Sequence, residues 1–140
     1  MSAPRKHDRE ALVPVICARL ATGEPMTVVC ADLGVPVKTV NDWRLQDKGI
    51  RAQFDTARDD GYDAIAHRAR ATARGKGEHG GGDSTGDVQR DKLIIDTDLK
   101  LLAKWDPRRY GDKVQLANGD GTNLPAPQFI IQPVATKAAE

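Results

Sequence analysis

The sequence predicts a mainly α-helical protein whose C-terminal part contains one short β-prone segment. Hydrophobic residues recur at three- and four-residue spacing through most of the chain, as they do in amphipathic helices. Aromatic residues make up only 4% of the 140 residues, which favours small helical cores over one large core. Stretches rich in glycine and proline at residues 75–86 and 118–127 separate the helical segments. We therefore expect three parts, at residues 1–48, 49–116 and 117–140.

The first part begins with a helix expected at about residues 8–21, with Leu12, Ile16 and Leu20 on its inward face. Pro14 interrupts this pattern, so a helix start at Pro14 itself is the alternative. Cys17 and Cys30 both occupy inward helical positions. That placement predicts buried free thiols, and hence an intracellular protein, rather than a disulfide or a metal pair.

Residues 27–46 have the pattern of a helix-turn-helix motif, with Gly34 as the expected turn glycine. Cys30 is a small residue four positions before Gly34, where the two helices approach closely. Val40 and Trp43 supply the inward face of the second helix. Such a motif lays its second helix in the major groove of DNA, so this part is predicted to bind DNA. A small helical domain without DNA contact is the alternative.

The outward face of that second helix carries side chains suited to reading bases. Asn41 can form paired hydrogen bonds with adenine, and Arg44 can form them with guanine. Flanking cations are better suited to phosphates. A solvated surface side chain is the alternative for each position. The predicted DNA-binding residues are Lys38, Thr39, Asn41, Arg44, Lys48, Arg51, Arg5 and Lys6.

The central part is predicted to be a helical hairpin. After a short break at Lys48 and Gly49, residues 50–73 contain no proline and form one long predicted helix. Its hydrophobic stripe consists mostly of small residues, and Gly61 in a helix interior costs about 1 kcal/mol relative to alanine. We therefore expect close packing against an element of the same or another chain.

The second hairpin helix is expected at residues 87–105, with Asp87 as its N-cap and Pro107 after its end. Residues 75–86 are interpreted as a flexible linker, because Gly75 and Gly80 lack the lysine that a phosphate-binding loop requires. Residues 128–132 form the β-prone segment, and a lone strand needs a partner from another copy or another protein. Its candidate partner-binding residues are Phe129, Ile130 and Ile131, and a disordered tail is the alternative.

The composition limits the function. The 21 Lys and Arg residues against 20 Asp and Glu give a net charge of +1, so one copy should bind DNA weakly and several copies should act together. We find no catalytic constellation and no close set of metal ligands, and therefore expect no enzyme activity, no cofactor and no metal. No apolar run approaches the roughly 20 residues that span a bilayer.

The most specific segment follows Trp105 and reads Asp106-Pro107-Arg108-Arg109-Tyr110-Gly111-Asp112-Lys113. This segment resembles the small terminase subunit of tailed double-stranded DNA bacteriophages. The resemblance extends over roughly residues 10–116 in the order of helices and motifs. The glycine-rich linker of the hairpin departs from it.

The resemblance implies a cyclic ring, an octamer to decamer, with helix-turn-helix domains at the periphery and the hairpins mediating assembly. It also implies C-terminal strands that form an intersubunit β-barrel. The partners would be double-stranded viral DNA and the large terminase subunit, which holds the ATPase and nuclease, in the host cell cytoplasm. The implied assembly residues are Phe54, Ala57, Gly61, Ile65, Ile95, Leu99, Leu102, Trp105 and Tyr110.

Within the Arg108-Arg109-Tyr110 segment we favour packing over DNA contact. Tyr110 and Trp105 are predicted to pack between subunits, while the arginines pair with neighbouring acids. The leading alternative for the whole protein is a dimeric helix-turn-helix transcriptional regulator. Two weaker alternatives are a helical scaffold that does not bind DNA and the detached DNA-binding domain of a recombinase.

Overall fold

The computed structural model describes residues 7–78, 80–113 and 119–132, and these residues contain six helices. The prediction of a mainly helical chain is confirmed. The first three helices and the start of the fourth surround one hydrophobic core, and the fifth helix folds back along the fourth. The helices are α1 (Arg9–Leu20), α2 (Met26–Leu33), α3 (Val37–Gln46), α4 (Lys48–Ala73), α5 (Val88–Trp105) and α6 (Pro107–Tyr110).

Helix α1 begins before its proline. The Asp8 side chain accepts a hydrogen bond from the amide of Ala11 (3.2 Å) and caps the helix. Pro14 therefore lies inside α1, on its exposed side, and does not start it. The helix tolerates the lost amide because its apolar face is still buried in the core. That buried face consists of Val13, Ile16 and Leu20.

The turn between α2 and α3 depends on Gly34. This residue has φ 66° and ψ 28°, a left-handed conformation that glycine adopts without steric cost. The amide of Val35 then donates to the carbonyl of Cys30 (3.0 Å), which closes the end of α2. Cys30 is buried, Cys17 is half-buried and both thiols are free. Burial raises the pKa of each thiol above its ordinary value.

Helix α4 begins two residues earlier than the sequence pattern suggests. The Asp47 carboxylate accepts hydrogen bonds from the amides of Gly49 (2.8 Å) and Ile50 (3.1 Å). Lys48 and Gly49 therefore form the first turn of α4, and the predicted break at these residues is wrong. The connection between α3 and α4 is the single residue Asp47.

The small-residue stripe of α4 is covered by its own chain. Phe54 and Ala57 lie in the core formed with α1, α2 and α3. Gly61 lies so close to α1 that a Cβ atom added to it would be 2.2 Å from the carbonyl oxygen of Leu20. On α5, Leu102 is fully buried as well. These four residues thus pack within the chain, and their role between subunits stays a prediction.

The segment between α4 and α5 makes specific contacts in the described residues 80–86. Asp91, which is buried on α5, accepts from the Ser84 hydroxyl (2.6 Å) and from the amide and hydroxyl of Thr85 (2.8 Å each). The amide of Asp83 donates to the Thr72 hydroxyl oxygen (2.9 Å) on α4. Within the predicted linker at residues 75–86, residues 83–85 thus contact both helices of the hairpin, and the flexibility of the linker stays a prediction. Asp87 caps α5, as predicted.

Candidate nucleic-acid interface

Helix α3 presents one polar face away from the core. Val40 and Trp43 are buried and fix which side of the helix points inward. Lys38 and Leu45 are seven residues apart, so they differ by only about 20° around the helix and point outward together. The Lys38 side chain is 87% exposed, and Leu45 is 79% exposed. Asn41 lies beside them and is also exposed.

Arg44 points toward α4 rather than away from the protein. Its side chain is only 19% exposed, and its Nη2 atom lies 3.7 Å from the Asp55 carboxylate. Its guanidinium carbon lies 5.6 Å from the centroid of the Phe54 ring. Its Nη1 atom donates to the amide oxygen of Asn41 (3.3 Å). Arg44 is thus engaged on its own surface, which corrects its prediction as an outward-facing guanine reader.

The remaining predicted DNA-binding residues differ in their exposure and in their partners. Lys38 pairs with Asp42 across one helical turn, with 3.2 Å between the ammonium and the carboxylate. Thr39 is half-buried at the side of α3, and Lys48 and Arg51 are exposed on the first turns of α4. Arg5 and Lys6 lie outside the described residues. A surface depression of about 290 Å³ is lined by Asn41, Arg44, Leu45 and Arg51.

Sequence reasoning missed two residues here. Leu45 was not predicted, although its seven-residue spacing from Lys38 places it on the outward face. Asp55 was not predicted because its partner Arg44 belongs to a different helix, and only the angle between α3 and α4 brings the two side chains together.

The segment after Trp105 is tied to α4 by an acid-rich contact. Arg109 pairs with Asp106, and its Nη1 atom lies 2.8 Å from the Asp63 carboxylate. The Tyr110 hydroxyl donates to the same carboxylate. This hydrogen bond, together with Arg109, lowers the pKa of Asp63, while the bond to Asp63 raises the pKa of Tyr110. The predicted pairing of an arginine with neighbouring acids is confirmed for Arg109.

The other predicted assembly residues keep part of their surface exposed. Trp105 stacks on Tyr62 with 5.9 Å between the ring centroids, yet Trp105 remains 50% exposed. Both rings line a cavity of about 540 Å³ beside the α1–α2 connection. Leu99 is also exposed, whereas Ile65, Ile95 and Tyr110 are half-buried.

The C-terminal segment exposes its apolar side chains. Residues 128–132 form no strand in this single chain. Phe129, Ile130 and Ile131 are 90%, 79% and 91% exposed. The predicted strand requires partners from other copies, and it stays a prediction.

The described residues show neither a metal-binding cluster nor a membrane-spanning helix. Within residues 7–78, 80–113 and 119–132 we find no group of three or more His, Cys, Asp or Glu residues placed to hold a metal ion. None of the helices described in those ranges combines the length and the apolar character that crossing a membrane requires.

Comparison with known proteins identifies the family. Residues 8–117 match a family model described as bacteriophage Sf6, terminase small subunit-like. No curated protein sequence matches the chain.

Solved structures agree with this match. A crystal structure of a single-substitution variant of the terminase small subunit gp1 of the bacterial virus Sf6 is 28% identical, covers 96% of this chain and 98% of its own, and has a TM-score of 0.57. A second variant of that protein is 27% identical, covers 95% and 98%, and has a TM-score of 0.58. The chain therefore belongs to the Sf6 terminase small subunit-like family.

Proposed function

We propose that this protein assembles into a ring, binds viral DNA through the outward face of α3 and passes that DNA to the large terminase subunit during genome packaging. The observation that carries the proposal is the exposed face formed by Lys38, Asn41 and Leu45 beside the cations Lys48 and Arg51. Exposed polar side chains along one face of a helix suit entry into the major groove.

The low net charge supports a multivalent mode of binding. With a net charge of +1, a single subunit neutralises few phosphates and gains little affinity from counterion release. A ring multiplies weak contacts, because each further subunit binds DNA that the first has already brought close. We therefore expect stable DNA binding only from the assembled protein.

Assembly in this proposal uses surfaces that the chain leaves open. The half-exposed Trp105 and the exposed Leu99 lie on the hairpin, and both would lose water contact against a neighbouring subunit. Phe129, Ile130 and Ile131 would be covered if the C-terminal segments of the copies paired as strands of a closed barrel. An exposed segment of this kind is also our candidate contact for the large subunit.

The proposal assigns no chemistry to this protein. ATP hydrolysis and DNA cleavage would belong to the large terminase subunit, and the small subunit would need no cofactor or metal. Packaging would take place in the cytoplasm of the host cell.

Native mass spectrometry tests the assembly directly. We expect one species, an octamer to decamer. A dimer would contradict the ring and would favour the transcriptional regulator, which binds a palindromic site as a two-fold symmetric pair.

A matched pair of double variants tests the DNA surface. Replacing Lys38 and Arg51 by alanine should lower the dependence of log K on log salt by about 1 to 2 per engaged subunit, because Arg51 is free to contact a phosphate while Lys38 is shared with Asp42. The control replaces Arg90 and Lys100, which are exposed cations on α5, and changes the net charge by the same amount. Equal losses in both variants would refute a specific role for the surface formed by α3 and the start of α4.

A further inference from the structure

Leu45 is an apolar side chain at the centre of a polar face. A single exposed leucine is ordinary on a protein surface and needs no explanation by itself. Leu45 differs because it shares one depression with Asn41, Arg44 and Arg51, and it points outward beside Lys38. Any DNA that contacts these polar side chains would therefore also cover Leu45.

Asn41 is linked to α4 by a chain of polar contacts. Asp55 pairs with Arg44 (3.7 Å), and Arg44 donates to the Asn41 amide oxygen (3.3 Å). An amide oxygen has two lone pairs, so that oxygen can still accept a second hydrogen bond. The amide nitrogen keeps both donors. Asn41 therefore retains the adjacent acceptor and donor that match the N6 and N7 atoms of adenine.

We propose that α3 reads an A·T step, with Asn41 contacting adenine, Leu45 packing on the thymine methyl group, and Arg44 positioning Asn41. This inference rests on the proposed DNA-binding function and adds the class of base pair that is recognised. The thymine methyl group is the apolar feature of the major groove, and aliphatic side chains contact it there.

The ion pairs of Arg44 and Lys38 on the same surface disfavour a G·C reading by α3. Guanine is read by arginine or lysine, and Arg44 is held against Asp55 and Phe54. Lys38 is paired with Asp42. The same ion pair occupies the Asp42 carboxylate, which could otherwise accept a hydrogen bond from cytosine. Asn41 and Leu45 are thus outward side chains of α3 that remain available to base edges.

Four short duplexes of equal length separate the contributions. The first is alternating A·T and the second is alternating A·U, which keeps adenine but lacks the methyl group. The third is alternating G·C. The fourth is alternating inosine·cytosine, which has the minor-groove edge of A·T and the major-groove edge of G·C. The intact assembled protein is titrated with each duplex at one fixed salt concentration.

We expect the A·T duplex to bind most tightly. The A·U duplex should bind about fourfold more weakly per engaged subunit, because burial of one methyl group is lost. The G·C and inosine·cytosine duplexes should both bind more weakly still. Leu45→Ala should abolish the difference between A·T and A·U. The control Leu93→Ala, a matched change of an exposed leucine on α5, should preserve it.

Asp55→Asn tests the positioning role of Arg44. Weakening this pair should reduce the preference for A·T over G·C while leaving the A·T to A·U ratio unchanged, since the ratio reports Leu45 alone. A purely structural role for Asp55 would lower binding to all four duplexes equally.

Each contrary result has its own meaning. Equal binding of A·T and A·U by the wild type, or an unchanged ratio in Leu45→Ala, would overturn the methyl contact while DNA binding stands. Tighter binding of G·C would overturn the A·T reading. A changed assembly mass in Leu45→Ala with an unchanged ratio would place Leu45 between subunits and overturn the inference. Failure of the assembled protein to bind any duplex would instead refute the proposed function.

Discussion

Replacing Gly61 with alanine should push the end of α1 away from α4. The added Cβ atom would lie 2.2 Å from the carbonyl oxygen of Leu20 and 3.5 Å from the Cα atom of Gly23. Both contacts involve backbone atoms, so no side chain can rotate to make room. The end of α1 must therefore move away from α4 by about 1 Å to restore an ordinary contact distance.

The expected loss of stability follows from two opposing effects. Forcing a methyl group into a filled contact typically costs about 1–3 kcal/mol. The better helix propensity of alanine returns about 1 kcal/mol. Because the obstacle is backbone, we place the overpacking cost at its upper end, which leaves a net loss of about 2 kcal/mol. For a chain of this size that corresponds to a decrease in Tm of about 6 °C.

Thermal unfolding followed by far-UV circular dichroism measures this change, with all variants at one protein concentration because assembly shifts the apparent Tm. The control is Gly49→Ala in the exposed first turn of the same helix, where the nearest atom is a side-chain oxygen of Asp47 at 3.2 Å. We expect the control to be neutral or slightly stabilising. A Gly61→Ala protein as stable as wild type would refute the close approach of α1 and α4.

Three further predictions concern acidic residues. The hydrogen bonds from Ser84 and Thr85 lower the pKa of Asp91, so its contribution to stability is complete above about pH 4 and is lost as the pH falls through the lower pKa of the folded state. The Tm difference between wild type and Asp91→Asn should therefore be largest at neutral pH and shrink below about pH 4. Asp42→Asn should release Lys38 to contact a phosphate. The dependence of log K on log salt should then rise by up to about 1 per engaged subunit. Asp63→Asn should lower the pKa of Tyr110 toward its ordinary value, so its absorbance should change at lower pH in an alkaline titration.

These three predictions have separate controls. A Tm difference for Asp91→Asn that stays constant down to acidic pH would contradict the assignment of a charged Asp91. Asp96→Asn, an exposed acid on α5, makes the same charge change as Asp42→Asn and should leave the salt dependence nearly unchanged. Tyr110→Phe identifies the Tyr110 signal in the titration, and an identical titration of wild type and Asp63→Asn would show that the two side chains are not bonded.

Much of the secondary structure follows from local rules that act within a few residues. Gly34 ends α2 because glycine tolerates a left-handed backbone, and Asp87 begins α5 because its carboxylate accepts from amides in the first turn. The inward faces of α1 and α3 follow from helical periodicity. The family was recognisable from the segment after Trp105, which is a property of the chain alone.

Local patterns carried too little information where two segments distant in the chain meet. Spacing showed that the stripe through Phe54 and Gly61 is buried, but it gave no information about whether the same chain or another copy covers it. Composition suggested a flexible linker, and it could not show that a buried carboxylate contributed by α5 would accept hydrogen bonds from Ser84 and Thr85.

The proposed DNA-binding face shows the same division. Helical periodicity by itself determined that Lys38 and Asn41 point outward, because that direction depends only on their angle from Val40 and Trp43. The tertiary structure alone decided that Arg44 turns inward, because its direction depends on Asp55 and Phe54 of the following helix. A side chain at the edge of a helical face can turn either way, and the neighbour packed beside it selects one direction.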